Sequence, residues 1–163
     1  MTNRRKFIKH SVALTTLSML PFSKASAFGR KITANPAGNI LPLRLKQGSL
    51  IGLVTPGGQI DEEQLHETVS KLKKLGFDTY YKPSVLDQYG YFAGTDRQRA
   101  DELMHMFTNK NVDAILCVRG GYGSIRILHL LDYALIQRNP KPLIGYSDIT
   151  ALLTAIYERT GLV

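Results

Sequence analysis

The sequence predicts an α/β domain built on a parallel sheet with helices on both faces. Apolar runs of strand length alternate along the chain with segments whose apolar residues recur at helical spacing. The first run, Leu50-Ile51-Gly52-Leu53-Val54, is apolar throughout, as expected for a strand that is buried on both faces. With 163 residues, the chain is long enough for one domain with a sizeable core.

The first half of the domain contains two predicted helices and a second predicted strand. Residues 61–75 carry apolar side chains at helical spacing, and Gly76 closes that helix. Residues 78–84 predict a second strand, which is more polar and therefore expected nearer a sheet edge. Thr95 or Asp96 can cap the next helix, which carries Leu103, Met104 and Phe107.

The second half repeats the alternation. Residues 113–118 predict the third strand, and residues 125–131 predict a short helix. A short apolar run around Leu143 then predicts another buried strand, and apolar spacing over residues 149–158 predicts the last helix. The order supports strand–helix–strand units in one parallel sheet.

Residues 1–27 have the composition of an export signal. They begin with basic residues that include Arg4 and Arg5, continue with a moderately apolar stretch, and end in Ala25-Ser26-Ala27, which suits a signal peptidase. The paired arginines resemble the twin-arginine signal of bacteria. We therefore expect export to the periplasm or cell envelope and no stable membrane span after cleavage. Residues 28–47 are expected to form an irregular lead-in or linker, and residues 48–163 a domain.

The charge and the single cysteine exclude several functions. The formal net charge is +8, but residues 28–163 hold only 16 of the 21 basic residues against all 13 acidic ones. We therefore expect no nucleic-acid partner. Cys117 lies in an apolar run and cannot form an internal disulfide. Without a second cysteine or a nearby histidine, it predicts no thiol or metal site, and no cofactor is expected.

Three loops follow predicted strands, at the sheet edge where ligands bind in such folds: residues 55–58, 119–123 and 145–148. Ser147 lies where a strand passes into a helix, which is the position of a nucleophile elbow. The backbone N–H behind it would then face the oxygen of an attacked carbonyl. The G-Y-S-D pattern only resembles G-x-S-x-G, and a helix cap formed by Ser147, with Asp148 favouring the helix dipole, is the simpler interpretation of these residues alone.

The glycine-rich loop also has two interpretations. It lacks the Lys-Ser/Thr of a phosphate-binding P-loop, and its spacing departs from the dinucleotide fingerprint. Gly120 and Gly121 could bring a backbone N–H to a substrate carbonyl as a second oxyanion donor, although a plain tight turn explains them equally well. Arg119 could bind a substrate carboxylate through two hydrogen bonds or could pair with a loop aspartate.

Four motifs in order resemble the LD-carboxypeptidases, a family that includes muramoyltetrapeptide carboxypeptidases and microcin C immunity peptidases. They are F-A-G-T-D-x-x-R at 92–99, R-G-G-Y-G-S-x-R at 119–126, L-L-D-Y at 130–133 and N-P-K-P-L-I-G-Y-S-D-I-T at 139–150. Each motif is weak alone, but four in order are specific. The resemblance covers roughly residues 48–163.

This resemblance implies a flavodoxin-like or class I glutamine amidotransferase-like amino-terminal domain of a two-domain serine peptidase without a metal. Ser147 would be the nucleophile, and the N–H groups of Asp148 and Gly121 would form the oxyanion hole. Arg119, Gly120 and Tyr122 are expected to contact a murein tetrapeptide, from which the enzyme would release the terminal D-alanine. The resemblance leaves a homodimer open.

The sequence departs from the family in one respect that affects catalysis. The family uses a Ser-Glu-His triad, whereas residues after Ser147 include only Glu158 and no histidine. His66, His105 and His129 lie on or beside predicted helices, where a structural role is expected. We therefore expect an amino-terminal fragment that lacks the carboxyl-terminal domain and has negligible peptidase activity. The alternatives are a non-catalytic muropeptide-binding module and a nucleotide-binding flavodoxin-like domain that uses residues 120–123.

Overall fold

A computed structural model describes residues 38–163; the predicted export signal and the first part of the lead-in lie outside this range. Four parallel strands form one sheet in the order β2-β1-β3-β4. The strands are β1 (Leu50–Val54), β2 (Asp78–Tyr80), β3 (Ala114–Cys117) and β4 (Leu143–Ile144). The parallel α/β prediction is confirmed, and so is the position of the second strand at an edge.

Helices connect the strands: α1 (Glu62–Lys74), α2 (Asp96–Thr108), α3 (Ser124–Ile127), α4 (Tyr133–Arg138) and α5 (Thr150–Thr160). Turns of 3-10 helix occupy Pro83–Leu86, Leu128–Leu130 and Ser147–Ile149. The first two helices begin at capping boxes, in which Asp61 accepts a hydrogen bond from the amide of Gln64 and Thr95 from that of Gln98. The cap predicted at Thr95 or Asp96 is therefore Thr95.

Alternate strand residues face opposite sides of the sheet, and both sides are covered. Ile51 and Leu53 of β1 pack in one apolar cluster with Leu65 of α1. Ile115 and Cys117 of β3 belong to a second, larger cluster that also contains buried residues of α2, α4 and α5. Helices on both faces are therefore confirmed.

Two sequence predictions about elements were wrong in extent, and one helix was not predicted. The second strand ends at Tyr80, because Pro83 has no N–H for a ladder and begins a 3-10 turn. Helix α4, with six residues, was not predicted. The run predicted as a buried strand forms the two-residue edge strand β4, in which Ile144 is 43% exposed.

The buried residue of that run is Lys141. Its Nζ donates to the main-chain oxygen of Met106 at 2.8 Å and to that of Asn109, so it satisfies carbonyls at the C-terminus of α2. Burial lowers the pKa of Lys141 from its ordinary value. Lys141 thus holds the end of one helix and stabilises the domain by hydrogen bonds that an apolar residue could not make.

Residues 38–47 contain no helix, yet they contact the domain. The amide of Ile40 donates to the oxygen of Gly161 at 2.7 Å, and the amide of Val163 donates to the oxygen of Ile40 at 3.1 Å. Leu45 packs against the cluster that contains α1. The described part of the predicted lead-in is therefore irregular but attached.

Within residues 38–163, no helix combines the length and the apolar character needed to cross a membrane. In the same range, no three His, Cys, Asp or Glu side chains lie together as metal ligands would.

Cys117 is buried, and burial raises the pKa of its thiol, so the prediction of a small apolar core residue is confirmed.

Glu102 should make stability depend on pH. Its side chain, on α2, is nearly fully buried, and its Oε1 accepts a hydrogen bond from Ser84 at 3.0 Å. Burial raises the pKa of Glu102 from 4.5 to about 7. The folded state therefore holds this proton more tightly than the unfolded state. The contribution of Glu102 to the free energy of unfolding is fully present below pH 4.5 and is lost as the pH rises through 7. The loss is at most about 3 kcal/mol.

Urea unfolding at pH 5 and pH 8 checks this expectation. The Glu102→Gln variant keeps the shape and the hydrogen bond to Ser84 but cannot titrate, so it should lose less stability than the wild type over this interval. Equal losses in the two proteins would show that Glu102 does not titrate as inferred.

Candidate active site

Ser147 has the backbone conformation of a strained turn. It begins the 3-10 turn between β4 and α5, and its φ is 58°. No other non-glycine residue within 38–163 has a positive φ. This left-handed conformation costs a residue with a Cβ about 1–2 kcal/mol and persists only where its surroundings impose it. Ser147 is also exposed, as the serine of a nucleophile elbow would be.

The alternative role of Ser147 as a helix cap receives no support from the hydrogen bonds. The N-cap of α5 is Ile149, and Ser147 Oγ has no hydrogen-bond partner among the described residues. The carboxylate of Asp148 points to a different helix, since its Oδ2 accepts a hydrogen bond from the amide of Ser124 at 2.8 Å. Asp148 therefore joins the turn at Ser147 to the start of α3.

The glycine loop lies directly against the turn. A Cβ built on Gly120 would fall 2.8 Å from the carbonyl oxygen of Tyr146 and 3.1 Å from the Cβ of Ser147. A Cβ on Gly57 would fall 2.2 Å from the oxygen of Gly120, which also accepts a hydrogen bond from the amide of Gly58 at 2.8 Å. Close approach of three backbones requires these glycines, so a plain tight turn does not account for Gly120.

Two amides at this junction are free. Neither the N–H of Asp148 nor that of Gly121 donates to another group within the part of the chain that the structure describes. Free amides beside a presented hydroxyl are what an oxyanion hole needs. The immediate neighbour of Gly121 is Gly58, to whose Cα a Cβ on Gly121 would come within 3.1 Å.

A cleft of about 470 Å³ adjoins the loop. Its lining residues are Gly58, Gln59, Tyr91, Arg119, Gly121 and Tyr122. Arg119 donates from Nη1 to the oxygen of Gln59 at 2.8 Å, and no carboxylate among the described residues pairs with it. The side-chain oxygen of Gln59 is buried and accepts no hydrogen bond from a described residue. The cleft therefore offers the exposed guanidinium of Arg119 to a ligand.

Aromatic side chains form part of the cleft wall. Tyr122 is 67% exposed and stacks on Phe92, with ring centroids 6.0 Å apart and planes inclined by 26°. Tyr91 is 86% exposed. Tyrosine combines a flat apolar face with a polar tip, and exposed pairs of this kind suit ligand contact.

The described histidines make no hydrogen bonds to the candidate site. His105 Nε2 lies 3.1 Å from the hydroxyl of Tyr80, whereas His66 and His129 are exposed. None of them is a hydrogen-bond partner of Ser147. The structure thus brings together Ser147, Asp148 and Gly120 as predicted from sequence, with Gly121, Arg119 and Tyr122 along the adjoining cleft.

Sequence reasoning missed the residues that support this junction. Gly57 contacts Gly120, Ser124 donates to Asp148, and Arg99 is buried beneath the loops. The signal for Arg99 was present, because it closes the F-A-G-T-D-x-x-R motif. Its burial could not be inferred, since arginine is rarely buried.

The domain combines a parallel sheet with an exposed serine at a strained strand-to-helix turn, beside free amides, an arrangement that serine hydrolases also use. Residues 51–163 match the LD-carboxypeptidase N-terminal domain, and the chain therefore belongs to that family.

The similar proteins are longer than this chain. The chain is 39% identical over 125 residues to the probable murein peptide carboxypeptidase of Bacillus subtilis, a match that covers 77% of this chain and 39% of that protein. It is 38% identical over 113 residues to the murein tetrapeptide carboxypeptidase of Pseudomonas aeruginosa, covering 69% and 36%. Among solved structures, it resembles an MccF-like protein from Bacillus anthracis, with a TM-score of 0.73, 38% identity and coverage of 76% and 39%. The matched part thus spans well under half the length of these relatives.

Proposed function

We propose that this chain supplies the nucleophile and oxyanion hole of a serine LD-carboxypeptidase that removes the terminal D-alanine from murein tetrapeptides. The observation that carries the proposal is the strained, exposed turn at Ser147, packed against Gly120 beside two free amides. The names of the Bacillus and Pseudomonas relatives support a murein peptide as the substrate.

In this reaction Ser147 Oγ attacks the carbonyl carbon of the L–D peptide bond. The C–N bond breaks, D-alanine leaves with a proton on its nitrogen, and water then hydrolyses the acyl-enzyme. The amides of Asp148 and Gly121 stabilise the negative charge on the carbonyl oxygen. Arg119 binds the carboxylate of the departing D-alanine, since part of its guanidinium remains unpaired in the cleft.

The reaction also needs a general base, because a serine hydroxyl is a weak nucleophile alone. No described histidine or glutamate is hydrogen-bonded to Ser147. The family resemblance assigns the base pair to a glutamate and a histidine beyond the matched domain. We therefore expect residues 1–163 alone to bind the tetrapeptide but to turn it over very slowly.

A murein substrate also fits the proposed destination of the chain. The basic start and the small residues before position 28 favour export through a twin-arginine route. Cell-wall peptides are accessible in the periplasm or cell envelope. A muropeptide-binding module without catalysis is the second candidate, favoured by the cleft that Arg119, Tyr91 and Tyr122 line.

Titration of the ¹⁵N-labelled chain with a murein tetrapeptide tests the proposal. We expect amide shifts at residues 119–123 and 147–148, and weaker binding of the tripeptide that lacks D-alanine. Adenosine monophosphate serves as the control for a nucleotide site. Shifts with the nucleotide alone, or tetrapeptide shifts confined to other residues, would contradict the proposed function.

A further inference from the structure

Arg99 joins three loops at the C-terminal edge of the sheet. Its side chain is fully buried, and Nε donates to the carbonyl of Gly94 at 3.3 Å. Nη1 donates to the carbonyl of Gly123 at 3.2 Å and to that of Pro56. We call this set of hydrogen bonds to Pro56, Gly94 and Gly123 the Arg99 clamp. Buried carbonyls in loops have no sheet ladder, so a buried donor must satisfy them.

Two arms lead from the Arg99 clamp to the candidate active site. On one side, Gly123 immediately precedes Ser124, whose amide donates to the carboxylate of Asp148 at 2.8 Å. On the other side, Pro56 precedes the glycine pair whose second member, Gly58, donates to the oxygen of Gly120 at 2.8 Å. Gly120 in turn lies against Ser147, so both arms end at the turn that presents the hydroxyl.

The clamp is itself held in place by charged and aromatic neighbours. Asp96 accepts hydrogen bonds from Nη2 of Arg99 and, at 2.8 Å, from Nη2 of Arg126. The hydrogen bond from Arg126 is the main cause that lowers the pKa of Asp96, and Arg99 adds to it. The ring of Phe92 lies 4.9 Å from the Arg99 guanidinium and leaves no room for a Cβ on Gly123.

We propose that Arg99 is a positioning residue, which fixes the oxyanion donors and the Ser147 hydroxyl relative to one another by clamping the three loops. The inference rests on the proposed function of this site. Arginine is required because its planar fork presents several donors in fixed directions, whereas lysine has one compact ammonium on a flexible stem. Arg99 therefore acts on the reaction only through the backbones that it holds.

The test compares Arg99→Met and Arg99→Lys with Lys141→Met in the full chain. Lys141 is a matched control, since it is also a buried cation that donates to two main-chain carbonyls, but at the other end of α2. Urea unfolding measures how much global stability each variant loses. Amide hydrogen exchange reports the two arms separately, through the N–H of Gly58 and that of Ser124.

We expect exchange at Gly58 and Ser124 to accelerate by about 100-fold in Arg99→Met and by about tenfold in Arg99→Lys, beyond any change in Lys141→Met of similar stability. Tetrapeptide affinity should fall in the same order and stay unchanged in Lys141→Met. If both amides exchange in the Arg99 variants as in Lys141→Met, Arg99 is an ordinary structural residue and the inference is wrong. If the wild type fails to bind the tetrapeptide, the proposed function fails, while the exchange data still decide the role of Arg99.

Discussion

Ser147→Ala should abolish covalent labelling of this chain by a fluorophosphonate. The reagent phosphonylates an exposed serine oxygen, and the proposed oxyanion donors beside Ser147 would favour reaction there; because no general base contacts Ser147 among the described residues, we expect this labelling to be slow but specific. We expect no phosphonyl group at residue 147, because alanine has no oxygen that could react, and the labelling rate of the whole chain should fall to that of its other hydroxyl groups. Mass spectrometry of the digested protein locates the phosphonyl group, and persistent labelling in Ser147→Ala would move the nucleophile elsewhere.

Ser147→Gly is the matched variant that separates strain from chemistry. Both variants lose the hydroxyl, but only glycine adopts a φ of 58° without a steric penalty. Ser147→Gly should therefore be about 1 kcal/mol more stable than Ser147→Ala in urea unfolding. Equal stabilities would show that the turn is not strained.

Gly57→Ala should have the second largest effect, because it pushes apart two loops of the site. Its Cβ would fall 2.2 Å from the oxygen of Gly120 and 3.1 Å from Asp148 Oδ2. The first contact is with backbone and cannot be relieved by a side-chain rotation. We expect the free energy of unfolding to fall by about 2–3 kcal/mol. We also expect labelling of Ser147 to slow by about 100-fold, as displacement of a site by an ångström does.

Gly48→Ala provides the control for Gly57→Ala. Gly48 has a φ of +80°, but a Cβ there meets no atom within 4 Å. This variant should lose about 1 kcal/mol of stability from the backbone conformation alone and keep the labelling rate of the wild type. If Gly57→Ala is labelled as fast as Gly48→Ala, the packing of Gly57 against Gly120 does not matter for the site.

The elements that the sequence predicts well are those with long periodic patterns and side-chain caps. Helix α1 follows from its apolar spacing between Asp61 and Gly76, and helix α2 follows from Thr95. Strand β1 follows from its unbroken apolar run. In each case the information lies within a dozen or so residues of sequence.

The predictions that failed concern elements that depend on distant contacts. Helix α4 is too short for a period to show, since Ile136 is its one buried residue. The run before Ser147 was predicted to bury its apolar residues, yet its buried residue is Lys141. The Lys141 ammonium is buried because it donates hydrogen bonds to carbonyl groups at the end of α2. Neither helix α4 nor the burial of Lys141 could be predicted without knowing which segments contact one another in the fold.

In the candidate site, too, features set by local sequence could be predicted, whereas features set by distant contacts could not. Its turn and its glycine loop could be located from sequence, because both follow predicted strands and such loops meet at one edge of a parallel sheet. The Arg99 clamp could not, since it joins Arg99 to Pro56, which lies 43 residues away. Three-dimensional contact, rather than local pattern, decides which polar residues support a site.

A crystal structure of the chain with a phosphonate analogue of a D-alanine peptide tests the central claim most directly. We predict a tetrahedral phosphorus bonded to Ser147 Oγ, with one phosphonyl oxygen about 2.7–3.1 Å from the backbone nitrogens of both Asp148 and Gly121. A phosphonate bonded to another residue, or one bonded to Ser147 with its oxygen turned away from both amides, would contradict the account.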